Sequence, residues 1–287
     1  MQPVKSPHLV PSGGDFDLSK RPTAAPEDEP KKKLEKDLKE ETERIAELQR
    51  RLYAEDRRSL LLVFQAMDAA GKDSTIRAVF TGVNPAGFQV SSFKQPSTEE
   101  LDHDFLWRSA RRLPERGRIG VFNRSYYEEV LVVRVHPEYL AGQRLDENSS
   151  KSFWKDRLES IVDHEKHLAR NGTRVVKFFL NVSLDEQKRR FLDRLDESHK
   201  NWKFSSGDVR ERSFWKDYAK AYEQALSATS KDHAPWYAIP ADSKPWMRLE
   251  VARIVRATLE DMDPQYPEAS AEERATFDEM RHILENE

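Results

Sequence analysis

The 287-residue chain contains no cysteine. Disulfides, thiolate zinc sites and cysteine nucleophiles are therefore excluded. No apolar run comes near the roughly 20 residues that a membrane-spanning helix requires. The first thirty residues also lack the apolar stretch of a signal peptide, so a cytoplasmic location is the expectation. An excess of one charge is missing too: 48 basic against 51 acidic residues leave a net charge of −3. A polyanionic ligand would thus have to be met by local clusters of Arg and Lys. There is no internal repeat. There is no RNA-recognition signature and no aromatic-rich basic strand, so neither nucleic acid nor membrane is expected as a partner.

What is present is a chain with 37% hydrophobic and 34% charged residues, a balance that long polar helices would explain. Its length allows one large α/β domain with a core of five or six apolar segments. Residues 1–30 are rich in Pro, Ser, Gly and Asp and predict a flexible N-terminal arm. Residues 31–287 then read as a single domain. Lys31–Tyr53 has apolar positions at near-helical spacing (Leu34, Leu38, Ile45, Leu48, Leu52). Leu60–Gln65 is a short, almost wholly apolar run that suits a central parallel strand. Further strands are expected at Phe88–Phe93, Arg118–Phe122, Arg174–Leu180 and Trp236–Ile239. Helices are expected at Ser74–Val83, Thr98–Arg112, Ser149–Asn171, Leu184–Asp196, Asp208–Thr229 and Pro245–Met262, with a helical or frayed tail after Pro264. Strands that alternate with helices predict a parallel sheet covered on both faces.

One junction carries chemistry. Ala66-Met67-Asp68-Ala69-Ala70-Gly71-Lys72-Asp73-Ser74-Thr75 follows a predicted strand and opens a predicted helix, the context that a Walker-type loop needs. Small residues at 69, 70 and 71 let main-chain N–H groups turn toward a phosphate. The helix N-terminus adds its positive dipole end and Lys72 an ammonium. The match is incomplete. Ala66 stands where the first Gly is usual, and Asp73 stands where a Ser or Thr hydroxyl usually meets Mg²⁺, unless Ser74 substitutes. The plain alternative is a strand–turn–helix junction capped by Asp68.

A second polar station follows the strand at 118–122: Asn123-Arg124-Ser125-Tyr126-Tyr127-Glu128-Glu129. A strand's carboxyl end delivers such residues beside the phosphate loop. Arg124 can clamp phosphate oxygens in two-pronged fashion. Glu128 or Glu129 could restore the carboxylate that Asn123 lacks. Capping by Asn123 or Ser125 explains part of the pattern, but not Arg124. Residues 184–216 are dense in Lys and Arg. Such a run is ordinarily a solvated face, but Arg190 and Arg194 share a helix face and the segment sits where P-loop kinases carry a lid. Its arginines would stabilise a transferring phosphoryl group. Lys94 closes the second strand, and Arg108, Arg111, Arg112, Arg116 and Arg118 could line a channel for a long polyanion.

Asp68-Ala69-Ala70-Gly71-Lys72, Asn123-Arg124-Ser125-Tyr126-Tyr127, Trp202-Lys203-Phe204-Ser205 with Asp208, Ala234-Pro235-Trp236 and Ala241-Asp242-Ser243-Lys244 together resemble the type 2 polyphosphate kinases, from about Lys31 to Met262. The resemblance implies a thymidylate-kinase-like P-loop fold: a three-layer αβα arrangement with a five-stranded parallel sheet and a helical lid at about 184–216. It implies phosphoryl transfer from inorganic polyphosphate to adenine or guanine nucleotides, with Mg²⁺ or Mn²⁺ as cofactor and a homodimer or homotetramer as the assembly. Carried onto this sequence, Asp68, Lys72 and Arg124 become catalytic. Ala69, Ala70, Gly71, Lys72, Asp73, Ser74, Lys94, Arg189, Arg190, Arg194 and Lys203 become phosphate-binding. Asn123, Arg124 and Glu128 face the acceptor nucleotide, and Asp68 and Glu128 hold the metal. Most members have Asp where this chain has Asn123, and Asn where it has Glu128. The combination found here resembles the subgroup that phosphorylates both nucleoside mono- and diphosphates. Two rival readings are an ATP-dependent kinase of the same fold and a non-catalytic polyanion-binding protein.

Overall fold

The structure, a computed structural model, describes residues 2–14, 16–26, 29–145 and 151–287. In chain order the elements are α1 (Lys31–Glu55), β1 (Ser59–Ala66), α2 (Lys72–Val79), β2 (Phe88–Ser92), α3 (Thr98–Leu101), α4 (Trp107–Ala110), β3 (Ile119–Asn123), α5 (Val132–Val135), α6 (Lys151–Arg170), β4 (Thr173–Asn181), α7 (Leu184–Asp196), α8 (Ser206–Glu211), α9 (Trp215–Thr229), β5 (Trp236–Pro240), α10 (Lys244–Met262) and α11 (Ala271–Glu285). Short 3₁₀ turns link several of them, including Tyr126–Val130, Ser198–Lys203 and Arg212–Phe214.

The sheet is five-stranded and wholly parallel, in the order β2-β3-β1-β4-β5. β1 lies at its centre, with Leu60 beside Ile119 of β3 on one side and Arg174 of β4 on the other. Every residue of β1 is buried, as expected of a strand covered on both faces. α1, α2 and α10 pack together, while α6 lies against β4 and α9, and α5 against α9. Because β1 pairs with β3 and β4 and not with β2, the chain reverses its direction of travel at β1. A crevice opens at the carboxyl ends of β1, β3 and β4.

The expected strands all form. So does the α7 helix, with Ser183 capping it by accepting from Glu186 N at 3.1 Å. Thr98–Arg112 is not one helix but two short ones, α3 and α4. Ser97 caps the start of α3, and Asp104 then accepts from Leu106 N and restarts the chain, a competition that such residues bring to any helix. Asp208–Thr229 breaks likewise at the 3₁₀ turn 212–214. Residues 149 and 150 of the expected helix Ser149–Asn171 lie outside the described residues. In the segment expected as a flexible arm, Leu9 bridges Tyr237 of β5, Val10 N donates to Trp236 O at 2.9 Å, and Val10 and Phe16 are buried; residues 1, 15, 27 and 28 lie outside the description. The tail after Pro264 is helical from Ala271 and exposed along its length.

Candidate active site

β1 ends at Ala66, and Met67–Gly71 turns the chain into α2. The turn needs two left-handed residues, Ala69 (φ +59°) and Gly71 (φ +109°). At Gly71 a side chain would be strained whatever the space. Lys72, the first residue of α2, folds back so that Nζ donates to Ala66 O at 2.8 Å. Burial pushes its pKa down and the charge of Arg124 adds to that, against the pull of Asp68, Glu128 and Asp73. Asp73 accepts from the Asn123 amide, tying α2 to the end of β3. Ser74 and Thr75 both direct their hydroxyl hydrogens to Gly71 O at 3.0 Å.

At the carboxyl end of β3, Arg124 also takes a left-handed conformation (φ +62°), an unusual state for such a residue and one concentrated at functional sites. The strand's exit thereby sends the guanidinium across the crevice. Its Nη2 lies 3.2 Å from Asp68 Oδ1 and its Nη1 3.6 Å from Glu128 Oε2. Burial raises the pKa of Glu128, opposed by Arg124 and Lys72. The neighbouring carboxylate is settled by the fold. Glu129 is buried and pairs with Arg157 at 3.0 Å, with Arg108 3.9 Å away, so its charge is taken up by arginines behind the crevice, while Glu128 meets Arg124.

The lid residues separate into two groups. Arg190 is buried, and all five of its N–H donors are engaged by the protein. Nε meets Glu186, Nη1 meets Ala69 O and Ala70 O at 3.0 and 2.6 Å, and Nη2 meets Ala241 O and Asp242 O at 2.6 and 3.2 Å. It sits behind the phosphate loop and not in the crevice. Arg189 points outward and pairs with Glu186 and Asp193. Arg194 donates to Lys203 O and Asp208, at 3.1 and 3.2 Å, and Lys203 lies over the Trp202 ring. Lys94 stands beyond the end of β2, where its carbonyl accepts from Arg108. The arginines expected to line a channel divide. Arg108 is buried in that contact and borders the crevice beside Lys94, Arg111 stacks on Trp107, and Arg116 and Arg118 bind the carbonyls of Arg57 and Ala86. The last two precede β3, at the opposite end of the sheet from the crevice.

Two cavities open on the pair Arg124–Glu128. One, of about 280 Å³, runs under the lid past Asp68, Gln187, Asp208, Arg212, Trp215, Tyr218 and Tyr222. The other, of about 370 Å³, runs toward Lys94, Leu101, Val133 and Gln143. The first is where sequence reasoning fell short: Gln187, Tyr218 and Tyr222 were not singled out, although Gln187 and Arg190 are three apart and so share a helix face.

The segment expected as a lid is tied to the body across this cavity by His136. Its ring nitrogens lie 2.9 Å from Glu211, on α8, and 3.2 Å from Glu138. Glu211 also accepts from Tyr218 at 2.7 Å. Burial alone would lower the His136 pKa, but the two carboxylates outweigh it and the net shift is upward from 6.5. A raised folded-state pKa means that the tie is fully present below 6.5 and is lost as pH climbs through the higher value. Protease cleavage within residues 198–214 should therefore accelerate between about pH 6 and about pH 8.5 in the native chain. In His136→Gln it should be fast at both. Equal pH dependence in the two proteins would refute the assignment.

The model of the polyphosphate kinase 2 (PPK2) family matches residues 28–267. The chain is 54% identical over 278 residues to an ADP-polyphosphate phosphotransferase of Rhodopseudomonas palustris, covering 96% of each chain. It is 46% identical over 225 residues to an AMP/ADP-polyphosphate phosphotransferase of Meiothermus ruber, covering 78% of this chain and 80% of that one. Among solved structures, a polyphosphate kinase 2 from Arthrobacter aurescens TC1 superimposes with a TM-score of 0.86 at 38% identity, over 97% of this chain and 100% of the other. With a single family model spanning most of its length and an all-parallel five-stranded kinase sheet beneath, the chain belongs to the polyphosphate kinase 2 family.

Proposed function

We propose that the protein transfers phosphoryl groups from inorganic polyphosphate to both AMP and ADP. The observation that carries this is that Arg124 and Glu128 face two adjoining cavities, with Asp68 on one of them and the charge of Lys72 close enough to be felt by all three. Two anions must meet end to end in such a reaction, and two cavities opening on one guanidinium suit that need. The attacking phosphate oxygen of the acceptor is already anionic near neutral pH, so no strong base is required. Catalysis rests on alignment and on neutralising the charge of the phosphoryl group in flight. Lys72 and Arg124 supply that charge, and the N–H groups of the loop supply hydrogen bonds.

The same residues suit Mg²⁺ or Mn²⁺. Asp68 and Glu128 are hard oxygen donors bound to the two arms of one guanidinium. Among the described residues no group of three or more His, Asp or Glu forms a closed metal site. That composition fits a cation held by one or two carboxylates and completed by water and substrate phosphates. Bound there, the cation would neutralise phosphate charge. The same reading takes the protein to be a cytoplasmic homodimer or homotetramer; no helix among the described residues is long and apolar enough to cross a membrane.

Dual acceptor use rests on Asn123 and Glu128. In this chain the amide of Asn123 is turned to Asp73, while the carboxylate lies one turn on, at Arg124. Moving the charge by a turn admits an acceptor one phosphate shorter. AMP, polyphosphate and Mg²⁺ should therefore yield ADP and then ATP. The relative named for ADP alone, at 54% identity, favours the narrower reading. Turnover of ADP without AMP would establish it. Activity with ATP but not polyphosphate as donor would instead indicate an ordinary nucleotide kinase.

A further inference from the structure

α7 lies behind the phosphate loop and presents two buried polar residues to it, Gln187 and Arg190. Gln187 Nε2 donates to Asp68 O at 2.9 Å. Arg190 donates to the next two carbonyls, Ala69 O and Ala70 O. Three consecutive carbonyls are thus drawn toward α7. A peptide unit is planar and trans, so each pinned carbonyl sends the following N–H the opposite way. Those N–H groups belong to Ala69, Ala70 and Gly71. That of Ala70 closes a turn on Met67 O at 3.3 Å. Among the described residues the other two have no partner, and they point away from α7.

The second link reaches the lid. Gln187 Oε1 accepts from Arg212 Nη1 at 2.6 Å, and the same Nη1 lies 3.1 Å from Leu184 O. A guanidinium can only donate, so it fixes which end of the amide faces it: the oxygen faces Arg212 and the nitrogen must face Asp68 O. Arg212 lies in the 3₁₀ turn that joins α8 to α9, within the segment read as a lid. If the lid lifts and Arg212 withdraws, the amide keeps only its bond to Asp68 O and loses the anchor on its oxygen.

We propose that Gln187 and Arg190 are positioning residues that turn the N–H groups of the phosphate loop toward the phosphate chain, and that Gln187 makes this depend on Arg212 and hence on lid closure. The proposal rests on the functional reading above and supplies the link by which closure over substrate completes the loop. Arg190 lies behind the loop, out of the crevice, and Gln187, although it borders the first cavity, acts through Asp68 O. Their effect is to hold donors within the narrow tolerance that phosphoryl transfer requires.

The substitution Gln187→Glu keeps an acceptor for Arg212 but removes the donor to Asp68 O, so it isolates the loop half of the link. Arg212→Met isolates the lid half, and Gln187→Met removes both. With the full-length protein and inorganic tripolyphosphate, calorimetric titration should show about tenfold weaker binding for Gln187→Glu. Its kcat should fall about tenfold while KM for ADP stays within about twofold, and Arg212→Met should behave alike. The double variant Gln187→Met/Arg212→Met should be no worse than Gln187→Met, because the two residues form one chain. A merely structural loss would lower thermal stability and leave kcat per folded molecule unchanged. Wild-type-like tripolyphosphate binding and kcat in Gln187→Glu would overturn the proposal, as would fully additive losses in the double variant. A native protein that turned over no polyphosphate, yet lost tripolyphosphate binding on Gln187→Glu, would sink the functional reading and leave this inference standing.

Discussion

Lys72→Ala is expected to lower kcat for phosphoryl transfer by about 10³-fold or more, with the fold intact. The ammonium of this half-buried side chain rests on Ala66 O at 2.8 Å. That single neutral partner is a poor match for a group with three donors. A phosphate oxygen arriving in the loop offers a charge-assisted bond of roughly twice the strength, so the side chain is poised to leave Ala66. Its pKa is lowered by burial and by Arg124, while three carboxylates oppose the shift. Loss of the side chain removes the positive charge nearest the reacting phosphoryl group without exposing core. Lys72→Arg should not rescue, because the broader, planar guanidinium cannot occupy the space of a compact ammonium. Saturating kcat measurements beside circular dichroism check both parts. A variant within about tenfold of the native rate would remove Lys72 from the mechanism.

The strands and the phosphate loop were legible because they depend on local pattern: apolar runs of strand length, a small-residue turn and a lysine at a helix start. What the pattern does not encode is which acceptor each cation finds. Arg190 and Arg194 are one helical turn apart and read alike in sequence. Yet Arg190 is consumed by main-chain carbonyls of two loops, 69–70 and 241–242, that only the folded sheet brings together. Glu128 and Glu129 were equal candidates for a carboxylate in the crevice. The difference between them is the direction of the 3₁₀ turn 126–130, which delivers Glu129 to Arg157 on α6. The helix over 98–112 failed for a more local reason, since Asp104 offered the Leu106 N–H a side-chain acceptor in place of the helical one. In each case a polar side chain met the main chain, and hydrophobic periodicity carries no record of that.

The largest loss of stability is expected from the tyrosines' support. Behind Arg124, Tyr126 and Tyr127 pack into the core and reach Glu165 Oε1 at 2.9 and 3.0 Å. Glu165, on α6, and Lys177, on β4, are wholly buried and pair at 2.5 Å. Lys177 also donates to Tyr127 Oη at 2.9 Å and Thr229 O at 2.8 Å. Replacing Lys177 by Met leaves a carboxylate in the core without its cation, and breaking a buried pair in this way costs about 3–5 kcal/mol. Glu165→Gln strands the ammonium instead and should cost a similar amount. The two variants should then part company with pH. Burial already raises the Glu165 pKa and lowers that of Lys177 to about 8. In Lys177→Met the folded state gains by protonating Glu165, whose pKa then lies above its unfolded value. The variant's deficit therefore shrinks as pH falls toward that of an ordinary carboxylate. In Glu165→Gln the folded state gains by releasing the Lys177 proton, whose pKa lies below the unfolded 10.5. Without Glu165 to raise it, that pKa falls below the native pair's value of about 8, so the deficit shrinks as pH rises toward 8. Denaturant midpoints at unchanged m-value, measured across pH, give both slopes. Parallel slopes, or losses under about 1 kcal/mol in both variants, would mean that the pair does not stand as an ion pair beneath the Asn123–Glu128 turn.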